Sequence, residues 1–316
     1  MVARECPHPD CSPAYFRIRP GTGLSGPQTS AYCPYCRQSG EPQTFHTKAQ
    51  IEYAKKVVAH EAKNAVENMI RETLDLGPSG RKKIGGDFLS IELSFQPSQQ
   101  VRPSSPVEEE LRRDLTCPHC GLEHAVFGLA TWCPDCGADL FLEHVRNEFA
   151  VIRRILAEIP NRRQSLGARV AARDAENALE DTVSVFEAVL KIMVSRHLLA
   201  KGRSSSEVDE ALSRVVRNTF QNVSTAAETY KSLLNADLFE GISDGERTEL
   251  DKVFAMRHPI THNLGIVDRK YLERVRSGEL RGREVSADPD RIVNAITIAE
   301  RVLEGAYLRA FPPVTP

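Results

Sequence analysis

Eight cysteines fall into four close pairs, Cys6/Cys11, Cys33/Cys36, Cys117/Cys120 and Cys133/Cys136, and none is left over. Thiolates are soft metal ligands, and a Cys-x-x-Cys turn offers two of them from one backbone reversal, so two such turns close a tetrahedral zinc site. The eight residues therefore predict two structural zinc ions. In the second quartet, Cys117-Pro-His-Cys120-Gly and Cys133-Pro-Asp-Cys136-Gly repeat one knuckle across a spacer the length of a short hairpin. The glycine after each supplies left-handed backbone that turns amide N–H groups toward the sulfurs. The first quartet is looser: four residues separate Cys6 from Cys11, and His8 between them is an alternative ligand.

Disulfides and thiol redox chemistry are the competing uses. Met1-Val2-Ala3-Arg4-Glu5 lacks the apolar core of a secretory leader, and each pair is matched by a second pair rather than set alone at a strand end. Both uses fit worse than metal. No apolar run in the 316 residues approaches the ~20 a membrane span needs, which predicts a cytoplasmic protein without membrane contact. A net charge of −2 argues against a general polyanion binder. Arginine is nevertheless clustered at 153, 154, 162, 163, 169 and 173, with Glu158 the one acid among them, either a solvated helix face or an RNA-binding surface.

The elements that must carry these residues can be read from periodicity. A first zinc ribbon occupies 1–46. Residues 47–96 read as a helix over 47–74, with Ile51, Ala54, Val58, Ala62, Ala65, Met69 and Leu76 toward one side, followed by a strand pair over 84–95 in which Phe88, Ile91, Leu93 and Phe95 alternate. A linker spans 97–114, and the second ribbon 115–142. From 143 to 316 the pattern is helical and predicts a bundle of four or five helices. Leu179, Val183, Phe186, Leu190, Met193 and His197 draw a seam along the strongest helix, 166–199. Ser204 with Glu207, and Ser243 with Glu246, are capping boxes that open the next two. The first of these carries Val208, Leu212, Val215, Phe220, Val223, Tyr230 and Leu234 inward. Asp288-Pro289 opens the last, with Ile292, Ile296, Ala299, Leu303 and Ala306 buried. The fold class is thus mainly α, a C-terminal bundle behind two small zinc ribbons of short β-hairpins.

A second chemical candidate lies in Arg257-His258-Pro259-Ile260-Thr261-His262-Asn263, followed by Gly265-Ile266-Val267-Asp268. Pro259 gives no N–H to the carbonyl of Ala255, so the helix is predicted to end or kink there and to turn Arg257 and His262 toward a common space. These residues and their helical setting resemble the HEPN superfamily, whose motif is an arginine, a polar residue and a histidine a few positions on. The resemblance covers about 143–316 and leaves the ribbons outside. It implies a metal-independent endoribonuclease acting as a homodimer on RNA, with a toxin or defence role. His262 would take the proton of the ribose 2′-hydroxyl, Arg257 would stabilise the phosphorane-like charge, and a 2′,3′-cyclic phosphate would result. His258 competes with His262 for the role of base.

Other readings stand beside this one. His262-Asn263 can cap the helix C-terminus, with Arg257 paired to a carboxylate such as Asp268. His258 and His262 have the spacing of two metal ligands, without the glutamate of HExxH. Glu180 or Asp181 of the long helix can orient the base, and His197 reads as a core histidine. Tyr15, Phe16, Arg17, Arg19, Tyr32 and Tyr35 of the first ribbon, and His119, Phe127 and Trp132 of the second, either build cores around metal or stack bases. The rival to catalysis is a HEPN-like dimerisation and nucleotide- or RNA-binding module whose ribbons recruit a protein partner.

Overall fold

The computed structural model describes residues 1–9, 11, 14–48, 50–52, 81–86, 89–94, 112–275 and 281–312, with single positions at 55, 62, 66, 69 and 73. The chain divides into two compact units, Met1–Leu140 and Phe141–Pro316.

In the first unit, strands β1 (Val2–Glu5) and β2 (Tyr15–Ile18) come from the first cysteine ribbon, as do the short β3 (Ala31–Tyr32) and β4 (Ser39–Gly40). A hairpin of β5 (Arg81–Gly86) and β6 (Leu89–Ser94) follows, then β7 (Arg113–Thr116) and β8 (Glu123–Val126) of the second ribbon. The two ribbons share one antiparallel sheet in the order β1-β2-β8-β7, with Phe16 opposite Val126. The reason is apolar: Phe16, Phe45, Leu115 and Val126 form one buried cluster with Cys6 and Cys33, more burial than either small ribbon supplies alone. The knuckles also exchange backbone bonds, Thr131 N–H to Pro34 O at 2.8 Å and Tyr32 N–H to Pro134 O at 2.8 Å. Of the helical periodicity expected over 47–74, Ala54, Val58, Ala65 and Leu76 lie outside the described residues, as do Phe88 and Phe95 of the strand pair. Ile51, Ala62 and Met69 are helical, as expected, and exposed.

The second unit is helical: α1 (Phe141–Ala157), α2 (Ile159–Leu166), α3 (Ala168–Ala200), α4 (Ser205–Glu210), α5 (Val223–Leu234), α6 (Asp244–His262), α7 (Arg269–Val275) and α8 (Pro289–Ala310). The α3 seam is fully buried at Leu179, Val183, Phe186, Leu190 and Met193. Each such side chain contributes about 1.5–3 kcal/mol of burial. Phe186 meets Phe254 of α6 edge-to-face at 5.2 Å, which docks the motif-bearing helix on the seam. His197, at the end of that seam, is only partly buried; burial and then Lys201 lower its pKa.

Both predicted capping boxes are present, at Ser204/Glu207 and Ser243/Glu246. The helix expected after Ser204 is not continuous. It stops at Glu210, passes through a π-helical turn at Ala211–Val216, and reverses at Arg217, whose φ is 43°. A short 3-10 turn, Thr219–Gln221, precedes α5, where Asn222 accepts hydrogen bonds from the Ser224 and Thr225 amides. The capping asparagine satisfies the first amides of the new helix, which have no carbonyl one turn back to bond, and Val215 is left 52% exposed rather than buried.

Candidate functional site

Each cysteine quartet is gathered at one end of a hairpin. In the first, Cys6 and Cys36 sulfurs lie 3.6 Å apart, as do those of Cys11 and Cys33. In the second, Cys117 and Cys136 are 3.7 Å apart and Cys120 and Cys133 3.6 Å. Within each quartet all four sulfurs lie within 4.8 Å of one another, so each group could hold a metal ion. His8 stands outside the sulfur set; its backbone N–H points at Cys6 Sγ at 3.4 Å, as those of Tyr35 and Asp135 point at Cys33 and Cys133.

The glycines after the second knuckle pair behave as their positions require, with φ of 75° at Gly121 and 66° at Gly137. In the first quartet Arg37 takes the equivalent left-handed conformation at φ 63° without being glycine. Its guanidinium lies over Trp132, 4.3 Å from the ring centroid. Burial pushes Cys33 and Cys133 far up, and Cys11 and Cys120 up to about 12. Against burial, amide and thiol hydrogen bonds lower Cys36 and Cys117. A bound cation would favour the thiolate form at Cys11, Cys33, Cys120 and Cys133, against which burial works.

The second candidate lies at the end of α6. The helix does not end at Pro259; it runs on to His262, where Asn263 N–H bonds to Pro259 O at 3.0 Å and Gly265 N–H to the same oxygen at 2.8 Å. Pro259 and Ile260 are buried, and this packing holds the last turn despite the missing amide. On a continuous helix, residues five apart point about 140° from each other. The expected end of the helix at Pro259, which was to turn Arg257 and His262 toward a common space, is therefore not found. His258 and His262, one turn apart and both exposed, are brought together: their ring centroids are 5.3 Å apart and tilted by 57°.

Two glutamates of α3, seven residues and hence two turns apart on one face, grip the two ends of the motif. Glu180 accepts a hydrogen bond from Thr261 Oγ1 at 2.9 Å. Glu187 accepts from Gln221 Nε2 at 2.8 Å, and Gln221 Oε1 accepts from Arg257 Nη1 at 2.7 Å. Lys191 closes the chain on Glu187 at 2.6 Å. Arg257 Nε is buried and has no hydrogen-bond partner among the described residues. Burial, with the charge of Glu180 behind it, raises the pKa of Asp181. Gln221, Glu187 and Thr261 were not singled out from sequence. The i,i+4 spacing of Glu187 and Lys191 was visible, but Gln221 reaches Arg257 only because of the irregular turns before α5.

The remaining candidates have structural partners. Asp268 does not pair with Arg257; its Oδ1 caps α7 by accepting from Tyr271 N–H at 2.8 Å. In the arginine cluster, Arg153 binds Glu300, Arg162 binds Asp174, Arg169 binds Glu284, and Arg173 binds Glu176. Tyr15 packs on Phe127 at 5.1 Å, Tyr35 O–H donates to Tyr15 O at 2.6 Å, and Arg19 pairs with Glu123.

Fold and site define a mainly helical protein with a sheet unit bearing two tetracysteine clusters. Among the described residues no helix is long and apolar enough to cross a membrane. Compared with models of protein families, with curated proteins and with solved structures, the chain matches none.

Proposed function

We propose that the helical unit is a HEPN-like, metal-independent endoribonuclease that works as a homodimer, and that the two cysteine quartets hold zinc. Zinc is supported by the sulfur spacing: Zn–S bonds of about 2.3 Å in a tetrahedron require S···S edges of about 3.8 Å. The closest sulfur pairs, at 3.6–3.7 Å, approach that value without a rearrangement of the backbone. Zinc would supply cross-linking of the hairpins and no step of the reaction.

The observation that carries the ribonuclease reading is the end of α6. There two exposed imidazoles sit one turn apart beside an arginine that a hydrogen-bond chain holds in place. Imidazole titrates near neutral pH and can accept a proton from a 2′-hydroxyl, while a guanidinium stays charged and matches phosphate oxygens. The resemblance implies two copies of the motif across a dimer interface, so in this reading a second chain completes the site. Attack of the 2′-oxygen on phosphorus leaves a 2′,3′-cyclic phosphate.

A second reading, the non-catalytic dimerisation and RNA-binding module, is favoured by the engagement of Arg257 with Gln221, which gives the arginine a structural task. The two are separated by incubating the full chain with single-stranded RNA, with and without brief EDTA treatment. Cleavage that survives chelation, yields cyclic-phosphate ends and disappears in Arg257→Ala and His262→Ala supports the enzyme. RNA that is bound but left intact under every condition refutes it.

A further inference from the structure

We infer that His258 and His262 form one acid–base pair. His262 takes the proton from the 2′-hydroxyl, and His258 delivers a proton to the departing 5′-oxygen. This rests on the ribonuclease reading above and adds to it a named general acid.

The geometry that points to the pair is the continuity of α6 through Pro259. Had the helix broken there, His258 would have been left on one segment and His262 on another. Instead they occupy one face, four residues apart, with centroids 5.3 Å apart and both rings exposed. Neighbours of the motif are committed elsewhere: Thr261 donates to Glu180, Asn263 Nδ2 donates to Ile266 O at 2.8 Å, and Arg257 donates to Gln221. Both imidazoles lie on the exposed face of this helix end, where a phosphodiester can reach them.

The chemistry requires two proton movements. As the 2′-oxygen attacks, its O–H bond breaks and the proton passes to a neutral imidazole while the new O–P bond forms. The bond from phosphorus to the 5′-oxygen then breaks with its electron pair, and that oxygen takes the proton of an imidazolium. Attacking and leaving oxygens stand on opposite sides of phosphorus, so one ring cannot serve both at once. Two rings on one helix face can serve the two oxygens separately, each through its own nitrogen. After one turnover His262 is protonated and His258 neutral, and exchange with water restores both; no oxidant, metal or other reactant is consumed.

The test uses an oligodeoxynucleotide with a single ribonucleotide, made with either the natural 5′-oxygen or a bridging 5′-sulfur at the scissile linkage. A thiolate leaves without help from an acid. On the oxygen substrate His258→Ala is expected to be slower than wild type by about 10²–10⁴-fold, and on the sulfur substrate to return to within about tenfold. His262→Ala should stay slow on both. A His258→Ala variant that cuts the oxygen substrate like wild type, or that sulfur does not rescue, overturns the acid assignment while leaving the ribonuclease reading intact. Rescue of His262→Ala instead would reverse the roles and also overturn it. Wild-type protein that cuts neither substrate removes the ribonuclease reading and the pair together.

Discussion

Arg257 Nη1 donates to Gln221 Oε1 at 2.7 Å, across the boundary between α6 and the irregular turn that precedes α5. Gln221 in turn donates to Glu187, which also holds Lys191. An amide can serve a cation on one side and an anion on the other because it carries an acceptor and donors at its two ends. The arginine is therefore held by a neutral group, with Glu187 on the far side of that amide.

Gln221→Ala leaves a partly buried guanidinium without its acceptor and removes a donor from Glu187. A loss of about 1–3 kcal/mol is expected, read as a lower urea midpoint with an unchanged m-value. Gln221→Glu retains the acceptor for Arg257 but sets a carboxylate against Glu187, and should be intermediate. An unchanged midpoint in Gln221→Ala would show that the chain of bonds does not contribute to stability.

Native mass spectrometry of the intact protein should find two zinc ions per chain. Cys33→Ser and Cys133→Ser should each retain one, because all four sulfurs of a quartet are needed for a closed site. Chelation should remove amide-exchange protection from β1, β2, β7 and β8 while α3 and α8 keep theirs. A chain that binds a single ion, or whose sheet amides ignore chelation, contradicts the assignment.

The capping box at Ser204 makes a pH-dependent contribution. The Ser204 amide, then the Arg203 side chain and the Ser204 hydroxyl, hold the Glu207 carboxyl at about 2, down from 4.5. A lowered folded-state pKa stabilises the fold above the usual carboxylate value, and that gain is lost as the pH falls through the lowered one. The advantage of wild type over Glu207→Gln should therefore be full above about pH 4.5 and fade toward about pH 2. Urea midpoints at several pH values read this directly; a difference that stays constant over the window refutes the mechanism.

Leu264 sits just past α6 with φ 52° and is 75% exposed, so it bears left-handed strain without the return of burial. Leu264→Asn should raise Tm, with a gain of up to about 1 kcal/mol, since asparagine tolerates that conformation. A lower Tm that worsens on dilution would instead mean that Leu264 is covered by a second chain.

Much of the architecture was legible along the chain. The cysteine pairs, the glycines after the second knuckles, the α3 seam and the two capping boxes each depend on residues within a turn or two of one another. Reading failed where distant groups compete. The helix expected after Ser204 is interrupted at Arg217 and restarted by Asn222, and α6 survives Pro259 because buried neighbours hold its last turn. Propensity counts local costs and misses the packing of Pro259 and Ile260, whereas the restart at Asn222 is a local cap that periodicity alone does not register.

Which residues can ligate metal or move protons was settled by their chemistry and spacing: eight thiols in four pairs, and histidines at 258 and 262. Their grouping was settled by folding. Phe16 meeting Val126 merges two ribbons into one sheet, because neither buries enough apolar surface alone. The continuity of α6 sets His258 beside His262, and the irregular turns before α5 bring Gln221 to Arg257. Ligand types and periodicities are local properties of a chain, whereas the partner of a side chain depends on backbone paths between residues far apart in sequence.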